Sequence, residues 1–225
     1  MKTLTDHINE ALKIGNNLSE WSSYSCQPKT NDELKDIIRD RIKVQGPECD
    51  LNDIDTSLIT DMSYLFDDSE FNGDISNWDV SNVKEMECMF FTSKFNGDIS
   101  KWNVSKVENM LGMFARSEFN QDISKWNVSK VKNMRWMFRN SEFNKDISKW
   151  DVSKVNNMKF MFHRSEFNGD ISKWNVSSVE DMYGMFENSK FNQDISKWKI
   201  RKDCKTTDMF KQCPIKEEYK PKLQR

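Results

Sequence analysis

A 24-residue unit, FNGDISNWDVSNVKEMECMFFTSK, begins at Phe71 and returns from Phe95, Phe119, Phe143 and Phe167. A sixth copy starts at Phe191 and decays after Trp198 into KIRKDCKTTDMF, and LNDIDTSLITDMSYLFDDSE over 51–70 is a divergent copy ahead of the first. In that leading copy Leu51, Ile54, Thr56, Ile59, Met62, Leu65 and Phe66 stand where the next carries Ile75, Trp78, Val80, Val83, Met86, Met89 and Phe90. Counting both imperfect ends, the array has seven units. A fixed period of roughly 20–50 residues means that no unit buries its apolar face alone; each must cover its neighbour. The residue supply fits this, with Phe at 15, Met at 13 and Trp at 8, a core built from a few repeated parts.

Two periodicities lie within a unit. Ile75, Trp78, Val80 and Val83 follow the L-x-x-L-x-L-x-x-N spacing of leucine-rich repeats with other apolar residues substituted. Trp78 and Val80 alternate with Asn77, Asp79 and Ser81, which predicts a short strand with neighbours about 4.8 Å apart. Val83, Met86, Met89 and Phe90 then share one face of a short α- or 3₁₀-helix. Ser105-x-x-Glu108 and Ser177-x-x-Glu180 read as capping boxes at the start of that helix. The expected fold is therefore α/β, a leucine-rich-repeat-like solenoid of about seven short strand–helix units with a helical N-terminal cap.

Three segments follow. Residues 1–50 are the N-terminal cap, with 1–30 poorly patterned and open to being flexible. A first helix is expected near 4–14 (Leu4, Ile8, Leu12), and a second after Asn31, where Leu34, Ile37, Ile38 and Ile42 share a face. The repeats occupy 51–214, and 215–225 form a C-terminal cap and basic tail.

Most reactive residue types recur as evenly spaced ladders, the pattern of architecture and not of a catalytic cluster. The two histidines, His7 and His163, are far apart in sequence, which leaves little for acid–base or triad chemistry. The five cysteines show no CxxC spacing, so neither a disulfide framework nor a zinc site is expected. The aspartates at 74, 98, 122, 146, 170 and 194 sit in FNxDIS loops without the glycines of calcium-binding solenoids and are expected to bond turn amides. No metal, cofactor or enzymatic activity is expected. No stretch has the roughly 18 apolar residues of a membrane helix, and the N-terminus has no signal-peptide core, which implies a cytoplasmic location.

The motif FNGDISNWDVSNV, followed by M-x-x-MF, resembles the repeat of about 25 residues in BspA-like, leucine-rich-repeat-related surface proteins of mycoplasmas and other bacteria, with similar arrays in viral and protist proteins. The resemblance covers 51–214. It implies an α/β solenoid and a non-catalytic role in adhesion or protein–protein interaction, and it leaves cell-surface or virion association open beside the cytoplasmic reading.

Comparing the copies with one another locates two candidate surfaces. At the site of Cys88 they read Cys88, Gly112, Trp136, Phe160 and Gly184, and one position earlier Glu87, Leu111, Arg135, Lys159 and Tyr183. On a helical wheel this site faces away from the core, so Trp136 and Phe160 are expected as adjacent exposed aromatics flanked by Arg135, Arg139, Lys159, His163, Arg164 and Tyr183. Aromatic–arginine clusters are enriched at protein-binding hot spots; the alternative is that the rings pack between neighbouring segments. The second surface is the uniform row Lys101, Lys125, Lys149, Lys173 and Lys197, which would suit nucleic acid or another polyanion. A net charge of −2 and the parallel aspartates dilute that field. An unidentified protein partner is the expected ligand, with a polyanion as the alternative.

Overall fold

Identical apolar side chains at a 24-residue spacing place themselves over one another, and the chain closes into coils, one laid on the next. The computed structural model describes residues 24–222, so the expected helix at 4–14 lies outside the described residues. The rings of Phe66, Phe90, Phe114, Phe138, Phe162, Phe186 and Phe210 form one column with centroids 5.4–5.8 Å apart. Phe71, Phe95, Phe119, Phe143, Phe167 and Phe191 form a second at 6.1–6.4 Å. Within a coil the columns touch, as in Phe138–Phe143 at 4.2 Å. Burying a phenylalanine contributes about 1.5–3 kcal/mol, so the two columns dominate cohesion.

Tryptophan completes the core for a reason phenylalanine cannot supply. In the core column from Trp78 to Trp198, each indole Nε1–H donates to a carbonyl 27 residues earlier, from Trp78 to Leu51 (2.9 Å) through Trp198 to Ile171 (3.0 Å). A buried carbonyl left unpaired costs about 1–3 kcal/mol, so the ring fills volume while its N–H ties two coils. Asparagine makes a parallel ladder at the surface. The Asn72 Oδ1 accepts the Asn96 amide at 2.8 Å, and the pattern repeats to Asn192, whose Oδ1 takes the Lys216 amide at 3.2 Å.

The expected strand–helix unit is not what joins the coils. Isolated parallel bridges run Asp61–Glu85–Asn109–Asn133–Asn157–Asp181–Lys205, and another links Asp50 to Asp74. None lies at Trp78 or Val80, where turns within the coil engage the Trp78 amide, which donates to Ile75, and the Val80 carbonyl, which accepts from Val83. The helix expected over 83–90 does not form. The amides of Met86, Cys88, Phe90 and Thr92 donate instead to the carbonyls of Asn109, Leu111, Met113 and Ala115 in the following coil. Cys88 and Thr92 have φ of 50° and 53°, which no right-handed helix accommodates. The capping boxes fail with the helix: the Ser105 amide donates to Asn103 Oδ1 at 3.2 Å, and Glu108 pairs with Lys132.

One helix covers the first coil. Helix α1, Asn31–Gln45, buries Leu34 and Ile38 on the end of the core and stops at Gly46, whose φ of 90° favours glycine. Its N-cap is Thr30, which accepts the Glu33 amide, and not Asn31 as the pattern predicts. The Asn31 side-chain amide is used elsewhere, donating to the carbonyls of Asp61 and Ser63 at 3.1 Å each. Those carbonyls belong to the first coil, which has no preceding coil to supply donors. At the other end Ile215 is buried, and the Tyr219 carbonyl accepts the Ile195 amide at 3.0 Å.

Candidate functional site

The face built by residues 85–92 and their copies is where the coils differ most. Two positions in each coil are left-handed. One column is Tyr64, Cys88, Gly112, Trp136, Phe160, Gly184 and Asp208; the other is Asp68, Thr92, Arg116, Asn140, Arg164, Asn188 and Gln212, with φ between 50° and 62° throughout. Such a conformation costs a non-glycine residue about 1–2 kcal/mol. These columns are among the positions where the coils differ most, while the core columns stay uniform. Trp136 and Phe160, with Tyr64, are the bulky aromatics that occupy this region.

Trp136 and Phe160 are half-buried and not the fully exposed pair expected, because the helical wheel that turned them outward has no helix beneath it. Their backbones are adjacent, with the Trp136 amide donating to the Lys159 carbonyl at 3.0 Å. Arg135 lies over the Trp136 ring at 4.1 Å from its centroid and Arg139 at 5.6 Å. Phe160 meets His163 and Tyr183 edge-on, at 5.1 and 5.0 Å, and Lys159 lies 5.1 Å from the Tyr183 centroid. A Cβ on Gly184 would stand 2.3 Å from the Phe160 ring, so glycine there provides the space into which Phe160 leans. The structure thus brings Arg135, Trp136, Arg139, Lys159, Phe160, His163 and Tyr183 together, with Arg164 exposed beside them.

Polar atoms without partners concentrate here. Arg135 Nε, Trp136 Nε1, Asn140 Oδ1 and His163 Nδ1 are four of the five buried side-chain atoms lacking a hydrogen bond among the described residues. Burial pushes the His163 imidazole below its ordinary value, opposed by Glu187 with Nδ1 3.5 Å from its carboxylate, so the ring is neutral at pH 7. Burial also lowers Arg139, helped by the like charges of Arg116 and Arg164. Sequence comparison missed Arg116, whose signal was its place in the Asn140 and Arg164 column.

Since glycine already occupies this column at 112 and 184, Trp136→Gly and Phe160→Gly relieve backbone strain that alanine keeps. We expect each glycine variant to melt at or above the matching alanine variant, by up to about 1 kcal/mol in stability, as read by thermal circular dichroism. An alanine variant clearly more stable than its glycine counterpart would contradict this.

The lysine row is exposed at Lys101, Lys125, Lys149, Lys173 and Lys197. Each has an aspartate as its neighbour: Asp98, Asp146 and Asp194 are lowered chiefly by hydrogen bonds from Ser100, Ser148 and Ser196, with Lys101, Lys149 and Lys197 adding a smaller charge effect. Around Cys88, burial foremost and the nearby acids raise the thiol to about 11, so it stays protonated at neutral pH. No group of three or more metal-ligating side chains occurs among the described residues, and no helix there is long and apolar enough to cross a membrane.

Repeated coils carrying one variable face define a repeat protein. The chain belongs to the family described as Mycoplasma protein of unknown function, DUF285, whose model matches residues 41–142 and again 115–221. No curated protein and no solved structure matches it.

Proposed function

We propose that this chain is a non-catalytic solenoid scaffold, akin to the BspA-like proteins, that binds a protein partner through the face around Trp136 and Phe160. The observation that carries the reading is placement of two bulky aromatics at strained left-handed positions, beside arginines, on the variable face of a stack whose core columns are nearly invariant. Strain held where glycine is the natural choice, and half-buried rings beside guanidinium groups, are features of binding surfaces. The acids and amides of the ladders are committed to turn and inter-coil hydrogen bonds, which supports a structural role for them.

A polyanion-binding role through Lys101–Lys197 is the second reading, favoured by the exposure of all five lysines. One experiment separates the two: pull-down from source-cell lysate in moderate and high salt, using the native protein and a Trp136→Gly/Phe160→Gly variant whose folding is checked by circular dichroism. A protein retained in high salt and lost in the variant is the expected result. Nucleic acid recovered equally by both proteins and released by salt would overturn the aromatic-face reading and move the site to the lysine row.

A further inference from the structure

Seven arginines lie among the described residues, and they divide sharply. Arg39 pairs with Asp36 at 2.9 Å, Arg41 with Asp53 at 2.8 Å and Arg201 with Asp203 at 2.6 Å. The other four, Arg116, Arg135, Arg139 and Arg164, all sit on three consecutive coils of the variable face. Each is without a carboxylate within 4.0 Å or a side-chain hydrogen bond, although acids outnumber bases 36 to 34 in the chain. Glu118, on the first of these coils, is engaged by Lys94 at 2.6 Å, while Glu142 and Glu166 on the next two form no ion pair with the arginines. A guanidinium carries five donors in a fork that matches a carboxylate. Four of them side by side without acceptors form a surface complementary to an acidic ligand.

Resting on the partner-face reading above, we propose that the ligand is a short acidic polypeptide segment, with carboxylates reaching Arg116, Arg139 and Arg164 and an apolar side chain against Trp136 and Phe160. The dimensions of the charged band favour a peptide over a nucleic acid. Along the same columns the preceding coils carry Asp67, Asp68 and Glu87, and the following ones Glu187 and Asp208. The positive band therefore meets acids beyond both ends, and at the C-terminal end these are shared with Lys211, 3.5 Å from Glu187 and 3.8 Å from Asp208. Its height is two coil steps, 5.8 Å between Phe114 and Phe138 and 5.7 Å between Phe138 and Phe162. A segment of a few residues fits within it, whereas a long polyanion following the stack would run into Glu87, Asp67 and Asp68 toward the N-terminal end.

Fluorescence anisotropy with the full chain and labelled synthetic probes tests this. The probes are a ten-residue peptide alternating Asp or Glu with Leu, the same peptide with Asn and Gln replacing the acids, and a single-stranded oligonucleotide, a length of about ten residues being ample for the band. The acidic peptide is expected to bind, with at least about a tenfold loss of affinity for the amide peptide and for an Arg116→Gln/Arg139→Gln/Arg164→Gln variant. A Lys101→Gln/Lys125→Gln/Lys149→Gln variant, of equal charge change, is expected to bind unchanged. Equal binding by the arginine variant, stronger loss in the lysine variant, absence of acidic-peptide binding, or an oligonucleotide bound as tightly with the same arginine dependence would each overturn the proposal. The partner-face reading fails separately, only if a captured partner survives Trp136→Gly/Phe160→Gly; a partner lost in that variant but retained by the arginine variant would overturn the acidic ligand alone.

Discussion

Replacing Phe138 with alanine is expected to remove about 3–5 kcal/mol of stability and to break the cooperativity of the stack. Phe138 is wholly buried at mid-array, between Phe114 at 5.8 Å and Phe162 at 5.7 Å, with Phe143 at 4.2 Å within its own coil. Coils contact only their neighbours, so a cavity here weakens the interfaces on both sides at once, while the coils before and after keep their own cores. Denaturant unfolding followed by tryptophan fluorescence should show a lower midpoint and a shallower or divided transition. Phe210→Ala, in the last ring of the column and partly exposed, should cost markedly less. Equal losses at the two sites would mean that the stack is not a chain of nearest-neighbour contacts.

Acid should unfold the protein steeply, through six chemically equivalent aspartates. Asp74, Asp98, Asp122, Asp146 and Asp170 are each held below the usual carboxylate range chiefly by the backbone amide of a serine two residues on, and Asp194 by the Ser196 hydroxyl and amide. The serine amide lies 2.8–2.9 Å from the carboxylate in every case. With folded values below unfolded ones, this stabilisation is complete above the unfolded aspartate pKa of about 3.9 and is lost as pH falls through the folded values. Denaturation midpoints should therefore be insensitive to these groups from neutral pH to about 5, then drop with uptake of several protons below about 4. Changing the six aspartates to asparagine should flatten that drop while keeping the turns. Asn103, Asn127 and Asn175 already accept serine amides, at 3.2 Å, in the neighbouring column. A six-fold asparagine variant with an unchanged acid transition would place the titrating groups elsewhere.

Burial was legible in the repeat because side-chain volume recurs with it. Ile75, Trp78, Val80, Val83, Met86, Met89, Phe90 and Phe95 are all core, as their copies from Leu51 through Trp198 are, and the aspartate ladder bonds turn amides as expected. Where the backbone hydrogen bonds go was not legible. The spacing of Val83, Met86, Met89 and Phe90 satisfies a helical face and also satisfies a row of turns bonded to the next coil, since both put the same side chains inside. What separates them is conformation at positions 88 and 92, and a signal was present in the copies: Gly112 and Gly184 in one column, Asn140 and Asn188 in the other, residue types that accept a left-handed backbone. The candidate face was found by its variability, yet its exposure was overestimated for Trp136 and Phe160 because the helical wheel was the wrong frame.

The amides of Met86, Cys88, Phe90 and Thr92 and their copies point toward the C-terminal end, and the carbonyls that receive them point back. The stack therefore has a sense, like a thread that accepts a nut from one direction. Two such molecules brought together by their C-terminal ends would oppose donor to donor, from Thr206, Asp208, Phe210 and Gln212, whose amides have no partner among the described residues. Brought head to tail, they would find the carbonyls of Asp61 and Ser63 already held by Asn31. The first coil is thus covered in two ways, by the Asn31 amide on two of its carbonyls and by Leu34 and Ile38 of α1 on its core, whereas an interior coil is covered only by copies of itself.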